Sequence, residues 1–219
     1  MKPKFTTLTP EIFKYVCDNS SGGRIPILDE LRAETGQLGE ISEMLIGKDQ
    51  GAFMSMLVKS IGATSAIEIG TFTGYSSTCI ALGLPEHGRL VCVDQSDEWT
   101  QIARRYWKGA GVSAKIELRL GDGRAVLGKL SPNETFDFAF IDADKPGYDA
   151  YYELLLPHMR PNGVILFDNM LRNGQVVNPR QDDDAAQALN ALNKKLASDP
   201  RVDSVLLTVG DGIMMCRKK

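Results

Sequence analysis

From Ser65 onward, short apolar runs alternate with helical stretches, and this alternation limits most strongly which fold the chain can adopt. The runs are apolar at nearly every position, so the sheet they form must be covered on both faces. Strands that alternate with helices form parallel sheets, because each helix crosses back over the sheet. Strands are predicted at residues 66–69, 89–94, 115–120, 136–142 and 164–168. Helices are predicted between them, at residues 75–82, 98–110, 123–130 and 148–159.

The two ends of the chain follow other patterns. Residues before 62 are predicted to be helical at 10–18, 26–35 and 48–61, with Ser-Ser-Gly-Gly at 20–23 breaking the first helix from the second. Near the C-terminus, a helix at 184–198 precedes β-rich runs at 202–209 and 212–216, which predict a tight antiparallel hairpin. We therefore expect one Rossmann-like, doubly wound α/β domain over residues 1–219. It would comprise a helical cap (1–62) and a core (63–219) with a mostly parallel seven-stranded sheet.

Composition excludes several classes of protein. A net charge of -3 argues against a nucleic-acid binder. No stretch approaches the roughly 18 apolar residues of a membrane span, and the N-terminus has no signal-peptide pattern. The four cysteines form no CxxC pair, and with two histidines a zinc site is not expected. These features favour a cytoplasmic protein with buried cysteines, and the basic C-terminal residues 217–219 are interpreted as a frayed tail.

A glycine-rich loop follows the first strand. Its sequence, EIGTFTGYS, starts at Glu68 and places Gly70 and Gly74 around a strand-to-helix turn. The next helix offers free N–H groups, with Ser76 as an added donor. A plain turn that binds nothing is an equally good interpretation. Asp94 ends the second strand at the spacing of a ribose-binding acid, although a helix cap is the alternative. Loop and acid together leave NAD, FAD and S-adenosylmethionine open.

Three further polar groups are expected at one edge of the sheet. The fourth predicted strand ends at Asp142, and the fifth ends at Asp168 followed by Asn169. Two carboxylates and one amide oxygen suit a hard octahedral ion such as Mg²⁺. Helix capping, or salt bridges to Lys145 and Arg172, is the structural alternative. The third predicted strand leads into Asp122, for which an adenine contact and a helix cap are equally open.

These residues together resemble the cation-dependent O-methyltransferases of the caffeoyl-CoA and catechol type, over nearly the whole chain. The segments that carry the resemblance are IEIGTFTGYSS, VCVDQS, FDFAFIDADKPGYDAYYE, GVILFDNMLRNGQVV and VGDGIMMCRK, with EMLIGKDQGAF as a more divergent cofactor-covering segment. The resemblance implies methyl transfer from S-adenosylmethionine to a catechol-type aromatic acceptor, a divalent cation (Mg²⁺, or another such as Mn²⁺ or Ca²⁺) and a homodimer.

The resemblance also implies roles for individual residues. Asp142, Asp168 and Asn169 would bind the metal, and Lys145 would be the general base. Asp144 would lie near the acceptor, as would Arg172, which stands in a stretch where the family often has tryptophan. The cofactor would be bound by Ile46, Glu68, Gly70, Thr71, Ser76, Asp94, Asp122, Gly123 and Asp142.

Two rival functions follow from the same sequence. A nicotinamide-dependent oxidoreductase would explain the glycine loop and Asp94, but it would leave the carboxylates unused, and the chain lacks room for a second βαβαβ half. A non-catalytic S-adenosylmethionine-binding protein would explain the unusual Arg172, but the intact trio of metal ligands argues against it. Tyr148, Tyr151 and Tyr152 are candidates to line the site, with packing expected for at least two of them.

Overall fold

The computed structural model describes residues 6–21 and 25–219, so part of the predicted break at 20–23 lies outside the described residues. The helices are α1 (Pro10–Asp18), α2 (Pro26–Thr35), α3 (Lys48–Ser60), α4 (Tyr75–Gly83), α5 (Asp97–Gly109), α6 (Gly123–Leu127), α7 (Tyr148–Leu155) and α8 (Asp184–Ser198). The strands are β1 (Ser65–Ile69), β2 (Arg89–Asp94), β3 (Ile116–Leu120), β4 (Phe136–Ile141), β5 (Met159–Phe167), β6 (Val202–Leu207) and β7 (Ile213–Lys218).

The seven strands form one sheet in the order β3-β2-β1-β4-β5-β7-β6. Strands β1 to β5 are parallel, and β7 runs antiparallel to both β5 and β6. The predicted mostly parallel sheet with a terminal antiparallel hairpin is therefore confirmed. The order reverses direction beside β1 and β4, and ligands of such sheets bind at the carboxyl ends of the strands near that reversal.

Each face of the sheet carries its own hydrophobic core. Ile67 and Ile69 of β1 pack on one face with α6, α7 and α8, whereas Ala66 packs on the other face with α2 to α5. The near-continuous apolar character of the strands follows from this double burial. Cys79, Cys92 and Cys216 are buried and unpaired, as expected.

Several predicted boundaries are wrong for local reasons. The helix predicted to reach residue 159 ends at Leu155, because Pro157 leads into a 3-10 turn and Met159 already begins β5. The helix predicted to reach residue 130 ends at Leu127, before Gly128. Residues Gly36–Met44 form a 3-10 segment that the sequence did not predict, interrupted at Gly39 with a φ of 76°.

The C-terminal region differs most from expectation. The connection between β6 and β7 spans residues 208–212 and is longer than the predicted two-residue turn. The basic residues at 217–219 are not a frayed tail, since Arg217 and Lys218 belong to β7. The Lys218 ammonium donates to the carbonyls of Leu156 and Met159, at 3.0 and 2.8 Å.

Within the part of the chain that the structure describes, no helix combines the length and the apolarity needed to cross a bilayer.

Candidate active site

A cavity of about 950 Å³ opens at the carboxyl edge of the sheet. The loops after β1, β2, β3, β4 and β5 contribute to its wall, together with the 3-10 segment before α3 and the β6–β7 connection. The predicted site residues on its wall are Ile46, Gly70, Thr71, Ser76, Asp94, Gly123, Asp142, Asp144, Lys145, Asp168, Asn169 and Arg172.

Neighbouring protein atoms leave no space for a side chain at the two glycines of the β1–α4 loop. Gly70 and Gly74 have φ angles of 92° and 90°, which favour glycine. A Cβ on Gly70 would lie 2.1 Å from the carbonyl oxygen of Asp142, and one on Gly74 would lie 2.6 Å from the Ala103 Cβ. The loop therefore closes tightly against β4 and α5, and this leaves Thr71 and Ser76 on the cavity wall.

Asp94 organises this loop from the adjacent strand. Its Oδ2 accepts from the backbone N–H groups of Thr71 and Phe72, at 2.9 and 2.8 Å, and its Oδ1 accepts from Ser96 at 2.8 Å. The helix-cap alternative for Asp94 is wrong, because the Ser96 hydroxyl caps α5. Asp94 also lines the cavity, where its remaining lone pairs can accept from a ligand.

Glu68 lies fully buried behind the loop. Neither of its carboxylate oxygens has a hydrogen-bond partner among the described residues, and the same holds for the Thr71 hydroxyl. Burial raises the Glu68 pKa to about 8, against a smaller opposing effect of the nearby Ser76 and Thr71 hydroxyls. Buried polar groups without hydrogen-bond partners are rare, so we expect a polar group of a ligand to bind on this side of the site.

The Asp122 side chain caps a helix. Its Oδ1 accepts from the backbone N–H of Ala125 at 3.0 Å and so caps α6. The cavity wall includes the neighbouring Gly121 and Gly123, but the Asp122 side chain points to the start of the helix.

Asp142 and Asp168 follow paired residues of adjacent strands. Ile141 of β4 lies in register with Phe167 of β5, and the Asp168 N–H donates to the Ile141 carbonyl at 3.0 Å. Asp168 is only 3% exposed, and its Oδ1 has no partner among the described residues. Burial raises the pKa of Asp168 to about 7, and the charge of Asp142 adds to that rise. Asn169, with a φ of 56°, completes the trio.

Within the described residues, no group of three or more His, Cys, Asp and Glu side chains is placed to hold a metal ion. The predicted set at this edge has two carboxylates and the Asn169 amide, so only two of its members are residues of those types. Such a set of oxygen ligands, completed by water, matches the preference of Mg²⁺.

Lys145 pairs with the first carboxylate of this set. Its Nζ lies 2.7 Å from Asp142 Oδ1 and 2.8 Å from the Tyr148 hydroxyl. Two other carboxylates near Lys145 in the sequence, Asp144 and Asp149, are engaged elsewhere. Asp144 accepts from the Tyr151 hydroxyl, and Asp149 pairs with Lys195. An ammonium close to the carboxylates and on the cavity wall can exchange a proton with a bound ligand.

Arg172 lies on the cavity wall but is not free. Its guanidinium reaches both carboxylate oxygens of Asp183, each at 3.2 Å. Arg172 therefore does not form the salt bridge to Asp142 or Asp168 that the structural alternative predicted. Its φ of 44° and that of 50° at Asn173 are unusual for residues other than glycine, and such strain often occurs at functional sites.

Sequence reasoning missed several wall residues. Gln50 has an unpartnered Nε2 and is 2% exposed, but its position in a helix predicted only packing. Asp211 holds the loop after β5: its carbonyl accepts from Leu171 at 2.9 Å and its Oδ1 from Asn173 at 2.7 Å. Glycines around Asp211 marked it only as part of a turn. Of the three candidate tyrosines, Tyr151 alone lines the cavity.

Comparison with known proteins identifies the family. The O-methyltransferase family matches residues 18–219. The chain belongs to this family. Caffeoyl-CoA O-methyltransferase 2 of Zea mays is 40% identical over 222 residues, covering 95% of this chain and 83% of the maize protein. Tricin synthase 1 of Oryza sativa subsp. japonica is 38% identical over 221 residues, covering 94% of this chain and 87% of the rice protein.

A solved structure agrees with these relatives. The O-methyltransferase from Bacillus cereus in complex with SAH is 31% identical, with a TM-score of 0.87 and coverage of 95% of this chain and 97% of that chain. The predicted family and the predicted enzyme class, an S-adenosylmethionine-dependent O-methyltransferase, are therefore confirmed. A nicotinamide-dependent oxidoreductase is correspondingly not supported.

Proposed function

We propose that this O-methyltransferase transfers a methyl group from S-adenosylmethionine to one hydroxyl of a vicinal dihydroxy aromatic compound, with the help of Mg²⁺ or another divalent cation such as Mn²⁺ or Ca²⁺. The observation that carries the proposal is the pair of strand ends at Asp142 and Asp168, where the buried Oδ1 of Asp168 has no partner in the described part of the chain. A cation there would relieve the repulsion between the two carboxylates. The name of the maize relative refers to an acceptor of this chemical class.

The cofactor would occupy the side of the cavity next to β1 and β2. Gly70, Thr71 and Ser76, with Glu68 behind them, would surround its methionine part, and the unpartnered buried oxygens of Glu68 support this placement. Asp94 would accept from the ribose hydroxyls. Gly123, with Asp122 beside it, would lie near adenine, and Asp142 would border the cofactor as well as the metal.

Ile46 would cover the cofactor from the N-terminal segment. Its side chain is 7% exposed and lies on the cavity wall. The guanidinium of Arg32 donates to the Ile46 carbonyl at 2.6 Å, and this bond fixes the covering segment to α2.

The metal would be held by Asp142, Asp168 and Asn169, whose oxygen atoms suit a hard cation. When bound, the cation would lower the pKa of the acceptor hydroxyl and hold its oxygen, while S-adenosylmethionine supplies the methyl group as an electrophile. The products would be the O-methylated acceptor and S-adenosylhomocysteine, whose sulfur would give up its methyl group to the acceptor oxygen. The chain's own contribution is to bring donor and acceptor together in a near-attack geometry.

The proton of the acceptor hydroxyl would pass to Lys145 in its neutral amine form, which becomes the ammonium on receiving it. Its Nζ lies beside Asp142, on the same wall as the proposed metal ligands. Asp144 and Arg172 would contact the acceptor from the outer part of the cavity. Their present partners, Tyr151 and Asp183, keep both side chains at the wall.

A binding experiment tests the cofactor and metal assignments without turnover. Calorimetric titration of the wild-type protein should detect S-adenosylhomocysteine and Mg²⁺, but no binding of NAD. Asp168→Asn keeps the size of the side chain and removes its charge, so it should weaken Mg²⁺ binding strongly and leave S-adenosylhomocysteine binding measurable. Asp182→Asn, at an exposed carboxylate that pairs with Arg180, is the matched control. Unchanged Mg²⁺ affinity in Asp168→Asn would refute the metal assignment.

The proposed oligomeric state rests on the family resemblance, and the proposed cellular location rests on the composition of the chain. We propose a homodimer in the cytoplasm, with residues 1–62 as a cap over the core at 63–219. Sedimentation of the purified protein measures the first of these directly, and a monomer at micromolar concentration would contradict it.

A further inference from the structure

The Tyr148 hydroxyl is buried and makes one polar contact. Tyr148 is 1% exposed, and among the described residues its hydroxyl has a single hydrogen-bond partner, the Lys145 Nζ at 2.8 Å. Buried tyrosine hydroxyls usually have a hydrogen-bond partner. Here the partner is Lys145, which lies on the cavity wall and pairs with Asp142. Tyr148 itself is not on the cavity wall, so it reaches Lys145 from behind.

The backbone brings the two side chains into line. Lys145–Gly147 form a 3-10 turn with Pro146 in its first positions, and α7 begins at Tyr148. Side chains three residues apart eclipse one another in a 3-10 turn, so Lys145 and Tyr148 project on the same side. Pro146 fixes the backbone φ angle between them, which limits how far this arrangement can change.

The ring of Tyr148 is anchored to the strand that carries the second carboxylate. It packs on Phe167 with ring centroids 5.9 Å apart. Phe167 directly precedes Asp168 and lies in register with Ile141, which directly precedes Asp142. Tyr148 is thus fixed relative to both strand ends that bear the proposed metal ligands.

We propose that Tyr148 is a positioning residue that holds the Lys145 Nζ beside Asp142 and towards the acceptor. The lysine side chain has several rotatable bonds, and one ion pair to Asp142 leaves the ammonium free to swing. A second contact at the Tyr148 hydroxyl restricts Nζ to one place. The inference deepens the proposed function, because it rests on the role of Lys145 in receiving the acceptor's proton.

The charge state of the phenol suits this task. Burial, with the charges of Asp142 and Asp168, raises the pKa of Tyr148 well above its usual value. The phenol is therefore neutral at physiological pH, so its oxygen can accept from the ammonium and its O–H can donate to the neutral amine.

Tyr152 provides a matched control on the same helix. It is fully buried and packs on the same Phe167, at 6.1 Å between ring centroids. Its hydroxyl donates to Asp199 at 3.0 Å, and neither residue lines the cavity. Tyr148→Phe and Tyr152→Phe each remove one buried hydroxyl from α7, but only the first removes a contact to Lys145.

The experiment compares these two variants in steady-state methyl transfer to a catechol with Mg²⁺ present. Tyr148→Phe should lower kcat by about ten- to a hundred-fold, the effect expected when a reacting group is slightly misplaced. The KM for S-adenosylmethionine and the Kd for S-adenosylhomocysteine should change less than two-fold. Tyr152→Phe should keep the wild-type kcat, although both variants lower the melting temperature.

A kcat in Tyr148→Phe that equals the kcat of Tyr152→Phe would overturn the inference. Lys145→Ala separates this failure from failure of the proposed function. If Lys145→Ala has lost its activity while Tyr148→Phe is fully active, only the positioning role of Tyr148 is wrong. If Lys145→Ala is itself fully active, the proposed role of Lys145 is wrong and the inference falls with it. In support, Lys145→Ala/Tyr148→Phe should be no slower than Lys145→Ala alone.

Discussion

Glu68 shows how a single residue of the site affects the whole protein. Its carboxyl group is buried without a hydrogen-bond partner among the described residues, and burial raises its pKa from an ordinary 4.5 to about 8. Between these two values the unfolded chain has released the proton while the folded chain retains it. The free energy of unfolding contributed by Glu68 therefore falls as the pH rises through this range, and the loss is complete above about pH 8.

Glu68→Gln should remove this dependence. Gln cannot ionise in either the folded or the unfolded state. The free energy of unfolding of the variant, relative to that of the wild type, should therefore be higher at pH 8 than at pH 5 by on the order of a few kcal/mol. Urea unfolding of both ligand-free proteins at the two pH values measures the gain. Glu98→Gln, at an exposed residue, should show no such gain. An equal stability difference at pH 5 and pH 8 would contradict the raised pKa.

A second prediction for a single residue concerns Lys145. Lys145→Ala should lower kcat by about 100-fold or more, because general acid–base groups contribute on that order. The Kd for S-adenosylhomocysteine, measured by calorimetry, should stay close to the wild-type value. Lys108→Ala, at the exposed end of α5, controls for loss of a positive charge. A wild-type kcat in Lys145→Ala would exclude it as the proton acceptor.

The site residues that could be predicted from sequence are those at strand ends. Asp94, Asp142 and Asp168 each end or follow an apolar run, and the carboxyl ends of parallel strands meet at one edge. Gln50 and Tyr148 could not be found in this way, because their positions in helices predict packing. Their importance depends on which side chains of other elements they reach, and that is a property of the tertiary structure.

Among the elements, the β6–β7 connection has the clearest effect on the site. The backbone N–H of Met170 donates to the Gly212 carbonyl, at 2.9 Å, and the N–H of Leu171 donates to the Asp211 carbonyl at the same distance. These bonds hold the segment that begins at Asn169, one of the proposed metal ligands. The connection therefore fixes one side of the proposed metal site. Sequence predicted the hairpin but not this contact, since the predicted two-residue turn would have been too short to reach.

Gly212→Ala tests this coupling. Gly212 has a φ of 88°, and a Cβ there would lie 2.5 Å from Leu171 Cγ and 2.8 Å from Leu171 N. We expect the variant to lose more than about 1 kcal/mol of stability and also to bind Mg²⁺ more weakly, because Leu171 must move. Both quantities can be measured on the purified protein by urea unfolding and calorimetry.

Gly111→Ala is the matched control for that experiment. Gly111 has a φ of 70°, but a Cβ there would meet nothing within 4 Å. The variant should lose about 1 kcal/mol through backbone strain alone and keep its Mg²⁺ affinity. Equal Mg²⁺ affinity in Gly212→Ala and Gly111→Ala would show that the connection does not support the metal site.

On the scale of the whole molecule, the sequence pattern predicted the architecture well and its edges poorly. Alternating apolar runs and helices predicted the sheet, because burial on both faces leaves a strong signal along the chain. The 3-10 segment at Gly36–Met44 left no such signal, since none of its residues is buried. The prediction that the basic C-terminal residues form a frayed tail is wrong because of a tertiary contact. The Lys218 ammonium donates to the carbonyls of Leu156 and Met159, which are distant in the sequence.

For the whole site, we propose that two adjacent strand ends hold a cation on which methyl transfer to a vicinal dihydroxy aromatic compound depends. The most direct measurement follows a labelled methyl group from S-adenosylmethionine to a catechol and to the matching monophenol, with Mg²⁺ and with excess chelator. We predict that the catechol is methylated with Mg²⁺ present. We expect little or no methylation of the monophenol, and little or no methylation of the catechol in excess chelator. Catechol methylation at an undiminished rate in excess chelator would contradict it.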